Sequence, residues 1–202
     1  MRRSLTRLGV GVRTLLPSPL RRAYRVARSL APVEGYSKAL PQSLLEGCEV
    51  CASRLTLLDR LPKGGTVAEL GTFEGAFARE ILSRTDPRRL HVIDIDYSRF
   101  DGALRADPRL AAHTGLTHDV VATFPDATFD WIYVDADHSF EGALRDARAS
   151  APKLKSGGLL VFNDFAHIDP FLGRYGVHRA VSDFIVETGW RVRYLALHPA
   201  AL

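Results

Sequence analysis

The 202-residue chain has no apolar run approaching the ~20 residues that a membrane-spanning helix requires, so it reads as soluble, or at most peripheral to a membrane. Cysteine is scarce, with Cys48 and Cys51 forming a lone C-x-x-C. Zinc wants four ligands and no second pair exists, while a thioredoxin-type site would place the pair at the start of a helix that follows a strand. Here the pair falls inside a stretch that reads as one helix from Gln42 to Arg60, and structural thiols in a reducing compartment are expected. Acid is nearly missing from residues 1–35, where Arg2, Arg3, Arg7, Arg13, Arg21, Arg22, Arg25 and Arg28 face Glu34 alone. The remainder holds 27 − 8 = 19 Lys and Arg against 23 − 1 = 22 acids, so the basicity belongs to the tail and is no argument for a nucleic-acid partner. Also lacking is the G-x-G-x-x-G that a dinucleotide fold needs for its pyrophosphate, which disfavours a nicotinamide-dependent oxidoreductase.

Within the basic leader, Leu20, Ala23, Tyr24, Ala27 and Leu30 recur at helical spacing with Arg21, Arg22, Arg25 and Arg28 opposite, after the Pro17-Ser18-Pro19 break. Such a helix can lie on anionic lipid through residues 1–30, or pack on its own domain with a solvated arginine face. Arg7 and Arg13 interrupt the apolar run from Leu8 to Leu16, so a signal peptide is not expected and the location reads as cytoplasmic or membrane-peripheral.

From residue 36 to 202 the chain reads as one domain in which strands and helices alternate. Strands are predicted at Thr66 to Leu70, Leu90 to Ile95, Ala111 to Leu116, Phe129 to Asp135, Gly158 to Asn163 and Trp190 to Leu197. Helices are predicted at Gly75 to Arg84, Ser98 to Ala106, Ser139 to Leu154 and His178 to Thr188. The alternation implies a doubly wound α/β fold, a mostly parallel sheet with helices on both faces. Ligands of such sheets bind at the carboxyl ends of the strands.

The first strand runs into Glu69-x-Gly71-x-x-x-Gly75 with a helix directly after, the form of a nucleoside-cofactor turn. Gly71 permits close approach of a ligand to the main chain, Thr72 and Phe73 lie in the turn, and Gly75 opens the helix. Glu69 suits an ammonium better than a phosphate, which points to S-adenosylmethionine. Asp94, after the second strand, can hold ribose hydroxyls, with Asp96 a rival for the role or a helix cap. Thr117 and His118 sit where an adenine edge would need a donor or acceptor.

The fourth and fifth strands deliver Asp135-Ala136-Asp137-His138 and Asn163-Asp164. Neighbouring parallel strands bring these together, and Asp135, Asn163 and Asp164 then offer three oxygens to a hard cation such as Mg²⁺. His138 has the pKa range to take a proton from a hydroxyl that the metal has acidified. The segment from Phe165 to Gly176, with His167, Asp169, Arg174 and Tyr175, is the expected acceptor-binding loop.

Leu61 to Gly71, Ile93 to Asp96, Tyr133 to Gly142 and Leu154 to Asp164 together resemble the class I S-adenosylmethionine-dependent methyltransferases, most nearly the branch of macrolide sugar O-methyltransferases. The resemblance spans roughly residues 42 to 197. It implies a Rossmann-like methyltransferase fold, Mg²⁺ at Asp135, Asn163 and Asp164, His138 as general base, Asp135 also lining the cofactor site, and a small-molecule or glycan hydroxyl as acceptor. Two departures stand out. The sugar enzymes tend to have an acid where this chain has Asn163, and one strand follows the last helix where that fold has two, so either a final edge strand is absent or the sequence is shortened. A non-catalytic nucleoside-binding scaffold remains the alternative of a different class.

Overall fold

Two neighbouring strands, β2 (Thr66–Leu70) and β5 (Phe129–Val134), form the centre of the structure. Both are near-continuous apolar runs because both faces are covered. Val67, Trp131 and Tyr133 enter one core, and Ala68, Leu70, Ile132 and Val134 enter the other, as the two-residue period of a strand requires. Trp131 is wholly buried, its indole N–H donating to the Pro62 carbonyl at 3.1 Å.

This is a computed structural model, describing residues 39–169 and 173–197. The arginine-rich leader and its expected amphipathic helix lie outside the described residues. With β3 (Arg89–Asp94), β4 (Leu110–Thr114) and β6 (Leu154–Phe162), the central sheet has the order β4-β3-β2-β5-β6, and every pairing is parallel. The chain winds outward from β2 to β4, then returns to β5 on the other side of β2. That reversal opens a crevice at the carboxyl ends of β2 and β5, the position where doubly wound sheets bind ligands.

Helices α1 (Arg54–Arg60), α2 (Ala76–Thr85) and α3 (Gly102–Arg105) cover one face with Leu57, Leu58, Phe77, Ile81 and Leu104. On the other face α4 (Thr117–Ala122) contributes Val121, while α5 (Phe140–Ser150) and α6 (Val177–Thr188) pack on each other and on Leu160 and Phe162. Ser53, Asp101 and Ser139 cap α1, α3 and α5 by accepting from backbone N–H groups in the first turn. The doubly wound α/β class is the one expected.

Three expectations are corrected. Gln42 to Arg60 is not one helix but a 3₁₀ turn (Gln42–Leu44), a strand β1 (Glu49–Cys51) and α1. Gly47 at φ 77° ends the first and the Ser53 cap starts the last, so Cys48 lies in a loop and Cys51 on a strand, both as free thiols. The last predicted strand shortens to β9 (Tyr194–Ala196), which pairs in parallel with β1 as a separate two-stranded sheet and does not extend the central one. Helix α5 stops at Ser150, because Pro152 lies in the 3₁₀ turn (Ala151–Lys153) that leads directly into β6. Among the described residues no helix is long and apolar enough to cross a membrane.

Candidate active site

The Gly71 turn is held by its neighbours on both sides. Its amide donates to Ile93 O at 2.8 Å, and Asp135 N donates to Leu70 O at 2.7 Å, which closes the β2 end against β3 and β5. Gly71 has φ +84°, and a Cβ there would stand 2.7 Å from Ala136 Cα and closer still to the Asp135 carbonyl oxygen. The Cβ direction at this glycine is thus taken by the chain after β5, which requires a glycine here whatever lies against the rest of the turn. At Gly75, φ +88° at the start of α2, a Cβ would meet Leu104 Cδ1 and Phe100 Cε2 at 2.8 Å.

Beneath the turn lies Glu69, 1% exposed, its Oε2 accepting from the Thr72 hydroxyl at 2.6 Å. Burial, with Asp135 and Asp94 nearby, pushes this carboxyl up to about 8 against the weaker pull of Thr72 and Arg54. In the ligand-free protein at neutral pH, Glu69 is thus mostly protonated. Arg54, whose guanidinium lies 5.0 Å over the Phe77 ring, acts on both Glu69 and the buried Tyr133. The sequence reading missed it because it belongs to α1, inside the segment misread as a longer helix.

Asp94 ends β3 and ties the cradle together. Its Oδ2 accepts from Thr72 N and Phe73 N at 2.9 Å, and its Oδ1 from Ile95 N at 2.7 Å and Asp96 N at 3.3 Å. Four backbone N–H groups therefore occupy the carboxylate proposed for the ribose. Asp96 accepts from Ser98 N and its hydroxyl, as a turn cap would. Phe73, at φ 49°, presents a ring 59% exposed beneath the Arg99 guanidinium at 4.4 Å.

Two further apolar side chains escaped the sequence reading. Ile95 follows β3 and is 62% exposed, and Leu116 follows β4 and is 53% exposed. With Phe73 they form an apolar shelf along the carboxyl ends of β2, β3 and β4, large side chains left in water where a bound flat group would cover them. Thr117 instead turns inward, its hydroxyl donating to Asp146 Oδ1 of α5 at 2.6 Å, and does not face the crevice. His118 is half-buried beside it.

Across the switch point, the ends of β5 and β6 bring Asp135, His138 and Asp164 together. His138 Nε2 lies 3.2 Å from both Asp135 Oδ1 and Asp164 Oδ2. Burial acts to lower the His138 pKa, but hydrogen bonds and charge from the two carboxylates outweigh it and hold the ring at about 9. The ligand atoms of these three residues lie within 4.8 Å of one another, which fits a single divalent cation. Asn163 plays a different part from the one expected. Its Nδ2 donates to Asp135 Oδ1 at 3.0 Å and its Oδ1 accepts from Tyr133 OH at 3.0 Å, so it orients Asp135 and spends its own oxygen on Tyr133. Asp164 holds φ 55°, a left-handed backbone that is uncommon outside glycine and recurs at functional sites.

The expected acceptor loop closes over this cluster. Gly176 N donates to His138 O at 2.9 Å, the Tyr175 ring packs 4.6 Å from the His138 ring, and His167 lies 5.1 Å beyond Tyr175. Strands β7 (Ile168–Asp169) and β8 (Gly173–Arg174) pair antiparallel at the tip, and the side chains of Asp169 and Arg174 lie outside what is described.

Residues 68–165 match the methyltransferase domain family. The matched domain holds Glu69, the Gly71 turn, Asp94, the Thr117–His118 turn and the Asp135–His138–Asp164 cluster. A solved protein from Corynebacterium glutamicum shares the fold, with a TM-score of 0.52 at 17% identity over 92% of this chain and 88% of that one. A spermidine synthase from Thermotoga maritima is similar over 59% of this chain at 20% identity and TM-score 0.45, and the chain spans 43% of its length. No curated protein matches the sequence.

Proposed function

We propose that this chain is an S-adenosylmethionine-dependent methyltransferase that carries the sulfonium methyl onto a hydroxyl oxygen of a small molecule or glycan. The observation that carries this reading is an apolar shelf (Phe73, Ile95, Leu116) on one side of the β2–β5 switch point and a carboxylate–imidazole cluster on the other, within a matched methyltransferase domain. The shelf suits the adenine face and the cluster suits a hydroxyl.

In the transfer, an O–C bond forms as the C–S bond breaks, the electron pair stays on sulfur as a neutral thioether, and the hydroxyl proton leaves. The cofactor already has its leaving group, so the protein must align oxygen, methyl and sulfur and help the proton away. Against the pull of burial, its two carboxylates hold His138 at about 9, so it is mostly imidazolium at neutral pH, above the range expected of a base. Its Nε2 therefore receives the hydroxyl proton only in the deprotonated fraction, and turnover should rise with pH towards about 9. Tyr175, against the ring, and Asn163, behind Asp135, keep the pair oriented. A divalent cation such as Mg²⁺, held by Asp135 and Asp164, would acidify a hydroxyl bound to it and, by offsetting the two carboxylates, would favour the neutral His138 that takes the proton. Residues 1–30 as a contact with membrane surface, and a cytoplasmic location, belong to the same proposal.

Calorimetric titration with S-adenosylhomocysteine, followed by methyl-transfer assays on sugar and phenol panels with and without EDTA, tests each part. His138→Ala should lower turnover by about 10²–10⁴ with cofactor affinity preserved. Absence of binding would end the cofactor reading, and binding with no transfer to any hydroxyl would leave a nucleoside-binding scaffold. Full turnover in excess EDTA would remove the cation from the scheme.

A further inference from the structure

Residues 191–197 alternate exposed and half-buried without a break, and the pairing of β1 with β9 runs past both ends of the strands. Glu49 N donates to Arg193 O at 3.0 Å at one end, and Leu197 N donates to Cys51 O at 2.9 Å at the other. On the inward side of this ribbon Cys51, Tyr194 and Ala196 pack into the core that holds Leu57 and Leu58. Val50 pairs with Leu195 in register, so both point the other way, and Leu197 shares their side two residues on. These three are 62%, 40% and 56% exposed, where their inward neighbour Cys51 is 2% exposed. Parallel strands are ordinarily covered on both faces, and the ribbon's own pairing has no need of three apolar side chains held together in water.

The charge around this face selects its cover. Arg191 and Arg193 continue the exposed side of the strand before Leu195. The acids at that edge are engaged already, Glu49 with Arg60 at 2.8 Å and Glu46 with Arg191 at 3.8 Å. Arg193 lies 5.5 Å over the Tyr194 ring and forms no ion pair among the described residues. The arginine-rich residues 1–35 join the domain at the same place, because Leu44 O accepts from Val192 N at 2.9 Å. A leader of like charge is a poor cover for a cationic rim, and so is a second copy that brings the same rim with it. An anionic bilayer suits both basic groups at once, taking the apolar side chains below its headgroups and the guanidinium groups among its phosphates.

We propose that the outer face of the β1–β9 ribbon, Val50, Leu195 and Leu197 with Arg191 and Arg193, is a docking surface for a membrane rich in anionic lipid. The inference deepens the membrane-contact reading above, which rests on the leader alone, by giving the folded domain a contact of its own and with it a fixed orientation on the bilayer.

The test is sedimentation of the full chain with vesicles of phosphatidylcholine, either pure or with about 30% phosphatidylglycerol. The wild type should bind the anionic vesicles at least about tenfold more strongly than the neutral ones. Leu195→Ser/Leu197→Ser should weaken that binding by about tenfold or more, with the lipid-free midpoint of thermal unfolding little changed, because both side chains are exposed until the bilayer covers them. Arg191→Gln/Arg193→Gln should weaken it by about fivefold or more on anionic vesicles and leave the neutral ones unaffected. If Leu195→Ser/Leu197→Ser binds as the wild type does while Arg21→Gln/Arg22→Gln/Arg25→Gln/Arg28→Gln loses binding, the leader reading stands and the ribbon proposal falls. A clear drop in the lipid-free midpoint of Leu195→Ser/Leu197→Ser would mean that the chain itself covers the face, and a wild-type dimer abolished by that variant would assign the face to a second copy; either overturns the proposal. Failure of the wild type to bind any vesicle refutes the membrane reading as a whole.

Discussion

Glu69→Gln isolates the most perturbed carboxyl of the site. The side chain is 1% exposed and its ordinary value of 4.5 rises to about 8, with burial the leading cause. Between those values the folded chain holds a proton that the unfolded chain has released. The resulting stability is complete below pH 4.5 and declines as pH rises to about 8, because the slope of stability follows the difference in bound protons. At ~1.36 kcal/mol for each tenfold change in proton affinity, the full decline amounts to about 5 kcal/mol, and relaxation of the turn around the new charge trims it. Gln keeps the shape and can accept from the Thr72 hydroxyl without ever ionising. For a chain of this length 1 kcal/mol moves the unfolding midpoint by about 2–4 °C, so the variant should gain about 5–10 °C on the wild type between pH 6 and pH 9. The two proteins differ at residue 69 alone, so the difference between the two melting curves reports on Glu69. Parallel curves across that range, or a wild type that gains on the variant, would refute the assignment of a buried neutral acid.

Gly71→Ala should cost at least about 3 kcal/mol in denaturant unfolding, since a left-handed backbone and contact with residues 135–136 both penalise a Cβ; a loss under about 1 kcal/mol would mean that the β5 end yields easily. Asn163→Asp places a second carboxylate where Nδ2 now sits 3.0 Å from Asp135 Oδ1, so the cation-free variant should lose about 1–2 kcal/mol, and added Mg²⁺ should raise its unfolding midpoint more than it raises that of the wild type. Equal Mg²⁺ responses would contradict a cation at Asp135. Ile95→Ser and Leu116→Ser should each weaken S-adenosylhomocysteine binding by about five- to tenfold with little change in melting, because both side chains are exposed until something covers them. Unchanged affinity in both would move the adenine off the shelf.

How much of this was legible in the sequence depends on where each signal lies. Strand β2 spans the predicted Thr66 to Leu70 because a central strand with both faces buried is bounded on each side by a change in composition. Asp135, His138 and Asp164 could be brought together from sequence because β5 and β6 are parallel neighbours in register at Val134 and Phe162, so whatever follows them meets. The inward turn of Thr117 could not be seen, since its partner Asp146 is 29 residues away on a helix face that periodicity assigns only to burial. The direction of the Asn163 side chain was equally hidden, being settled by Tyr133 from within the core.

The errors at the ends of β3 and β4 carry information of their own. Strands predicted to reach Ile95 and Leu116 stop at Asp94 and Thr114, one and two residues short. Ile95 and Leu116 read as a continuation of the pleat, yet each lies past the last paired residue and stands in water. A strand that ends early while its apolar pattern runs on leaves side chains that the fold itself does not need. At the outer end of a sheet there is no core to claim them, and when two neighbouring strands overrun at the same end, a ligand face is the economical reason. The overrun is thus a sequence-level mark of the shelf, and the Ile95→Ser and Leu116→Ser measurements decide whether it marks the cofactor.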